Sequence, residues 1–201
     1  NYLNAHFLSV DRLPVAGESL AAKHHFHEHG GKGLNLAVGL RRLGVTVELL
    51  MAVGQDEAGA AVTRRLAAEG ISTTGILTLG PSSGYGVGFI APDGRNFLAT
   101  HLGANALLTT EHVEQARDII VSADWLVASF EIPDSVILHA FRLARRFDKH
   151  TYLNPSPWRP PDQELLALTD VLVVNATEAA RLINQPELET LTRQDWMARL
   201  P

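Results

Sequence analysis

The 201-residue sequence contains no cysteine, which excludes disulfides and thiolate metal sites and fits the reducing cytoplasm. It has no apolar run of membrane-spanning length, and its start lacks the pattern of a signal peptide, so no membrane partner is expected. Basic runs are missing too. With a formal net charge of −5, nucleic acid is not an expected partner. No Gly-x-Gly-x-x-Gly follows the first strand-like run, and the lysine of the glycine-rich stretch is followed by glycine, so neither a dinucleotide fingerprint nor a Walker A loop is present. Internal repeats and low-complexity linkers are absent as well. What remains is ordinary globular material, 46% hydrophobic and 19% charged, long enough for one sizeable core.

Against that background one stretch stands out, His29-Gly30-Gly31-Lys32-Gly33-Leu34-Asn35-Leu36-Ala37-Val38. Glycines are costly in backbone entropy, so three around one lysine mark a place where the backbone turns with positive φ or approaches something closely. The apolar spacing that follows, Leu34, Leu36, Ala37, Val38, Leu40 and Leu43, predicts a largely buried helix that starts in the glycine loop. Free N–H groups at such a start stabilise anionic or hydroxyl-rich ligands, and Lys32 adds a full charge. Asn35, an amide among apolar neighbours, needs a partner, and a ligand is one candidate. The plainer reading is a turn into a core helix with Lys32 in solvent.

In chain order, residues 2–10 read as a strand, Asp11 to Glu18 as a turn, and Ser19 to Phe26 as an extended strand leading into the glycine loop. Val45 to Val53 reads as a strand, and Ala58, Ala61, Val62 and Leu66 mark a helix stopped by Gly70. Gly84 to Ala91 and Arg95 to His101 form a predicted hairpin. After it come a helix through Val113 and Ile120, a strand at Trp125 to Ser129, a helix through Ile137 and Ala144, a strand at Thr151 to Asn154, a short helix at Glu164 to Leu168 and a buried strand at Val171 to Val174. This alternation predicts an α/β fold, a doubly wound, mostly parallel sheet in three layers, and the hairpin an excursion into a small β lid.

Gly-Gly-Lys-Gly-x-Asn-x-Ala followed by Leu43-Gly44 and a strand resembles the first signature of the ribokinase-like, phosphofructokinase B type, family of carbohydrate kinases. The similarity extends over nearly all of the chain. It includes Arg12-Leu13-Pro14-x-x-Gly17-Glu18, Gly103-Ala104-Asn105-Ala106, Leu153-Asn154-Pro155-Ser156-Pro157 and Asn175-x-x-Glu178. The resemblance implies ATP-dependent phosphorylation of a sugar hydroxymethyl group with Mg²⁺, ribose being the first candidate; a β lid with one open apolar face further predicts a homodimer formed through it. The resemblance implies lid elements at about residues 7–28 and 84–101. It further implies that Gly31, Lys32, Asn35 and Glu131 hold the sugar, that Asn175 and Glu178 place nucleotide phosphate, and that Glu178 serves Mg²⁺. A carboxylate and an amide one helical turn apart suit a magnesium ion held largely through water and phosphate. Each position has a plainer reading: Asn175 and Glu178 as a helix start, Asn154 as turn chemistry, Glu131 as a solvated loop residue.

Two departures bear on activity. The family's strand-end Asp, which grips sugar hydroxyls, aligns with Ala5 or, with a one-residue gap, His6. The Gly-Ala-Gly-Asp motif that carries the general base is not in the sequence and is expected beyond Pro201, so the chain is expected to be an inactive N-terminal fragment. A non-catalytic sugar-binding or dimerisation module is the alternative, and an unrelated dinucleotide-binding domain is a third reading. His24, His25, His27 and His29 form a separate cluster in which residues 25, 27 and 29 share one strand face. A zinc site there is conceivable, but no acidic or cysteine ligand is evident, which favours a lid or interface surface.

Overall fold

The structure, a computed structural model, describes residues 1–184 and 192–199. By its internal contacts the chain divides into two compact units, Asn1–Leu108 and Thr109–Pro201.

The first unit contains β1 (Leu3–Ser9), β2 (His24–Gly30), α1 (Lys32–Arg42), β3 (Met51–Val53), α2 (Glu57–Ala68), β4 (Ile76–Thr78), β5 (Gly84–Ile90), β6 (Asn96–His101) and a 3₁₀ turn at Gly103–Leu107. Four strands make one sheet in the order β2-β1-β5-β6, in which only the β1/β5 pair is parallel. The strand expected at Ser19 to Phe26 is shifted to His24–Gly30. The shift follows from its partner, because β1 ends at Ser9 opposite His24 and the Lys23 N–H closes the ladder on the Ser9 carbonyl. Residues 19–23 therefore have no ladder to join. The expected lid hairpin shares its sheet with β1.

β3 and β4 pair in parallel, and only residues 51–53 of the strand expected at Val45 to Val53 join a ladder. Val47 and Leu49 instead pack against a core of Tyr2, Leu34, Met51, Val62, Leu66 and Ile71. α2 forms where its apolar spacing predicts it, and Asp56 caps it by accepting the Gly59 N–H.

The second unit contains α3 (Thr110–Gln115), α4 (Arg117–Ser122), β7 (Trp125–Ser129), α5 (Asp134–Arg146), β8 (His150–Asn154), α6 (Gln163–Ala167), β9 (Val171–Leu172), α7 (Ala176–Leu182) and α8 (Arg193–Arg199). The single helix expected through Val113 and Ile120 is two, broken at Ala116. β7, β8 and β9 are parallel and in sequence order. α5 connects the first two and buries Ile137 and Phe141 against Phe130, Leu153 and Leu165. The last strand is shorter and less buried than Val171 to Val174 suggests. At Val173 the N–H still donates to the Leu153 carbonyl at 2.9 Å, but its carbonyl accepts from the Asn154 side chain at 2.8 Å, and Val173 is exposed.

Among the described residues no helix is long and apolar enough to cross a membrane.

Candidate functional site

In the first unit the glycine loop joins β2 to α1. Gly31 has φ of +103°, a region that L side chains rarely adopt, and it is the N-cap of α1. A Cβ at Gly31 would lie 2.9 Å from the Asn1 amide nitrogen, and one at Gly33 would lie 2.8 Å from the Asn1 backbone nitrogen, so both glycines are needed for close backbone approach. Asn1 also occupies helix donors expected to face a ligand. Its side-chain oxygen accepts the Gly33 N–H at 2.7 Å and its carbonyl accepts the Leu34 N–H at 3.2 Å. The helix start is thus tied to the chain's first residue, which corrects the expectation of open N–H groups.

α1 buries Leu34 and Ala37, while Asn35 is exposed. The expectation of a largely buried helix with an amide in apolar surroundings is therefore corrected, because only one face of α1 meets the core. Asn35 instead lines an open groove of about 650 Å³ with His27, Glu28 and His29 of β2, Leu34, Val38, Gly39 and Arg42 of α1, and Arg65 of α2. Lys32, half-buried at the first helical position, is not among the lining residues. At the groove, Arg42 is held in a bidentate ion pair by Glu69.

Behind the groove stands Tyr2, fully buried. Its hydroxyl lies 2.8 Å from Nδ1 of His29 and 3.3 Å from the Ala58 carbonyl. Burial, and then the negative charge of Asp56, push the Tyr2 hydroxyl far above the ordinary phenol range, so it stays protonated. The Tyr2 backbone is clamped in turn by Asn105. The Tyr2 N–H donates to Oδ1 at 3.0 Å, while Nδ2 donates to the Tyr2 carbonyl at 2.7 Å and the Leu102 carbonyl at 2.8 Å. Asn105 belongs to the Gly103 to Ala106 stretch, and its place is structural. A second clamp links Asp56 to the Ser83 N–H and hydroxyl, both at 2.7 Å.

Position 6 is also resolved. Ala5 is buried against the face that carries Gly30 and Gly86, whereas His6 lies on the opposite face beside Tyr85. Its Nδ1 is 3.0 Å from Nε2 of His25, and its ring stacks on those of His25 and His27. Burial, then the His25 and His27 charges, hold the His6 imidazole below its ordinary pKa. Among the described residues no group of three or more histidine, aspartate or glutamate side chains is arranged to hold a metal ion.

The second unit holds the remaining expected residues. Glu131, two residues after β7, is buried. Asn154 ends β8, and Asn175 caps α7. Asn175 and Glu178 form a reciprocal capping box: the Asn175 side chain accepts the Glu178 N–H at 2.9 Å, and Glu178 Oε2 accepts the Asn175 N–H at 3.0 Å. One Glu178 oxygen is thus committed to the fold, and the carboxylate is buried. A single partly used carboxylate fits a hydrated Mg²⁺ held through water and phosphate better than an ion caged by protein oxygens. Gly31, Lys32 and Asn35 belong to the first unit, while Glu131, Asn175 and Glu178 belong to the second.

Sequence reasoning missed Tyr2, His29 and Arg65. Tyr2 reads from the sequence only as a strand residue, His29 only as the start of the glycine stretch and a member of the histidine cluster, and Arg65 carries no local signal at all. Their meeting depends on a tertiary contact that no local pattern announces.

A family model described as pfkB family carbohydrate kinase matches residues 4–199. The chain is 33% identical over 182 residues to the ribokinase of Staphylococcus aureus, covering 88% of this chain and 59% of that one. It is 32% identical over 178 residues to the bifunctional ribokinase/ribose-5-phosphate isomerase A of Fructilactobacillus sanfranciscensis, covering 87% of this chain and 33% of that one. The structure of Arabidopsis thaliana ribokinase complexed with ribose and ATP superposes with a TM-score of 0.84 at 24% identity, over 98% of this chain and 64% of that one. That likeness assigns the fold, the α/β ribokinase fold. The chain spans a third to three fifths of the length of these two curated relatives.

Proposed function

This chain belongs to the pfkB family of carbohydrate kinases, and on that premise we propose that the whole protein transfers a phosphoryl group from ATP to a hydroxymethyl group of a sugar, ribose first among candidates. The observation that carries the reading is the glycine loop, which turns β2 into α1 and sets Asn35 in an open groove with imidazole, amide, carboxylate and guanidinium groups around it. Such a lining offers both donors and acceptors, as a neutral polyol requires.

In this reading Gly31, Lys32, Asn35 and Glu131 bind and orient the sugar, and Asn175 with Glu178 orders the start of α7 near nucleotide phosphate. Mg²⁺, when bound, would shield phosphate charge, with Glu178 reaching it through water. Orientation and charge stabilisation account for most of phosphoryl transfer, so a loosened groove should lower kcat as well as affinity. The family's Gly-Ala-Gly-Asp base is not present in the sequence, and within this reading the 201-residue chain alone turns over no sugar.

A coupled ADP-release assay on the whole protein, with ribose and other sugars, tests the proposal. Asn35→Ala and Glu131→Gln should each reduce kcat/KM by about tenfold or more, the loss of one or two substrate hydrogen bonds. No ADP release with any sugar would refute the kinase reading. It would favour the non-catalytic binding module, which the imidazole at position 6 already supports.

We further propose that two copies pair through the four-stranded sheet, whose Phe7 face exposes Phe26 and Leu98. Sedimentation that finds only monomer at high concentration would overturn this.

A further inference from the structure

We propose that His29 is a ligand-contacting residue of the groove and that Tyr2 is its positioning residue: Nε2 of His29 accepts a hydrogen bond from a hydroxyl of the bound polyol, in a tautomer set from the core. The inference rests on the sugar-binding reading of the groove and adds to it both a residue and a proton.

The argument runs from the carbonyl outward. The Ala58 carbonyl can only accept, so the Tyr2 hydroxyl, 3.3 Å away, must donate to it. Having given its one proton, that hydroxyl can only accept from the His29 nitrogen at 2.8 Å. Nδ1 of His29 therefore carries the hydrogen. In a neutral imidazole Nε2 then holds the lone pair, and the ring lines the groove. This is the one assignment that uses both contacts of a fully buried hydroxyl.

The surroundings keep the ring neutral. Lining the groove with it are His27 and Glu28 on its own strand, Arg42 on α1 with Glu69 bound to it, and Arg65 on α2, while the Tyr2 hydroxyl meets its Nδ1. Burial, then the Arg65 and His27 charges, hold the His29 imidazole below its ordinary pKa. Protonation would leave Nδ1–H in place and remove the acceptor at Nε2. Polyol affinity should therefore persist to a lower pH than an ordinary histidine allows, and fall as the pH drops through the lowered value.

The test is side-chain ¹⁵N spectroscopy of histidine-labelled protein, with ribose and fructose as probes. The expected result at neutral pH is a His29 Nδ1–H tautomer whose Nε2 resonance moves on adding sugar. Tyr2→Phe should mix the tautomers and weaken binding about fivefold, one net hydrogen bond. Arg65→Gln should move the pH of half-maximal binding upward without unlocking the tautomer, a readout that a purely structural role would not alter. An Nε2–H tautomer at neutral pH overturns the inference. So does sugar binding that shifts the Asn35 amide and leaves Nε2 of His29 unmoved, which would leave the sugar reading intact. Absence of any sugar binding overturns the sugar reading itself.

Discussion

Replacing Asn105 with leucine keeps the side chain's approximate volume and deletes its three hydrogen bonds to the backbone of Tyr2 and Leu102. Asn105 and Tyr2 are fully buried, so water cannot substitute for the lost amide. A buried backbone group left unpaired costs about 1–3 kcal/mol. Two such groups on Tyr2, partly offset by the transfer of leucine's methyl groups from water, give about 2–4 kcal/mol. On a chain of this size that lowers Tm by about 5–15 °C.

Thermal unfolding by far-ultraviolet circular dichroism measures the total, and hydrogen exchange on peptides from β1 and β5 localises it. Tryptophan fluorescence is the control, because Trp125, Trp158 and Trp196 all lie in the second unit. Asn105→Asp should be at least as damaging at neutral pH, since it sets a carboxylate against two carbonyls, and should recover as the acid is protonated. A loss below about 1 kcal/mol for Asn105→Leu would refute the claim that this amide clamps the first strand.

Burial pushes the Asp56 carboxyl up, but the Ser83 N–H and hydroxyl and the Gly59 N–H together outweigh it, so its pKa lies below the ordinary value. The stability this provides is present above the unfolded pKa near ~4 and lost as pH falls through the folded one; Asp56→Asn should flatten that acid limb in pH-dependent urea melts. His6 and His29 are both held below the ordinary imidazole pKa, so the unfolded chain binds their protons first and stability should decline as pH drops below about 6.5. Replacing both with glutamine should weaken that slope, and an unchanged slope would count against the assignment. Glu178→Ala should cost about 1 kcal/mol through its half of the capping box, whereas Glu178→Gln should retain much of the cap yet lower Mg²⁺-dependent turnover of the whole protein. Equal activity of Glu178→Gln and the unsubstituted protein would refute the metal role.

Much of the fold was legible because it is written in local periodicity. α2, β7 and α5 lie where their apolar spacing and stop signals put them, and the loop at Gly31 announced itself through its glycines. The failures are those of partner choice. Residues 19–23 and 45–50 have strand-like composition, but a strand exists only where another strand lies beside it, and local sequence does not say which.

The site was legible in part for the same reason. Asn35 reaches the groove because the glycine loop fixes the helix start, while Lys32, one turn earlier, does not line it. The Asn175–Glu178 spacing correctly marked a helix start, and the structure adds that both side chains are engaged in capping it. The Tyr2–His29 contact could not be foreseen from residues that lie 27 apart in sequence.

The central place of β1 has a consequence for how the chain is made. During synthesis β1 can pair with β2 soon after the turn between them emerges. Its other neighbour, β5, begins at Gly84, and the Asn105 clamp lies 103 residues beyond Tyr2. At about 5–20 residues per second, β1 waits on the order of 4–20 s at the ribosome with one long edge open. Loop closure over that distance comes late, after the local helices have formed. Throughout that interval the unpaired edge of β1 is a template for any extended segment nearby, until β5 and then residue 105 arrive to close it.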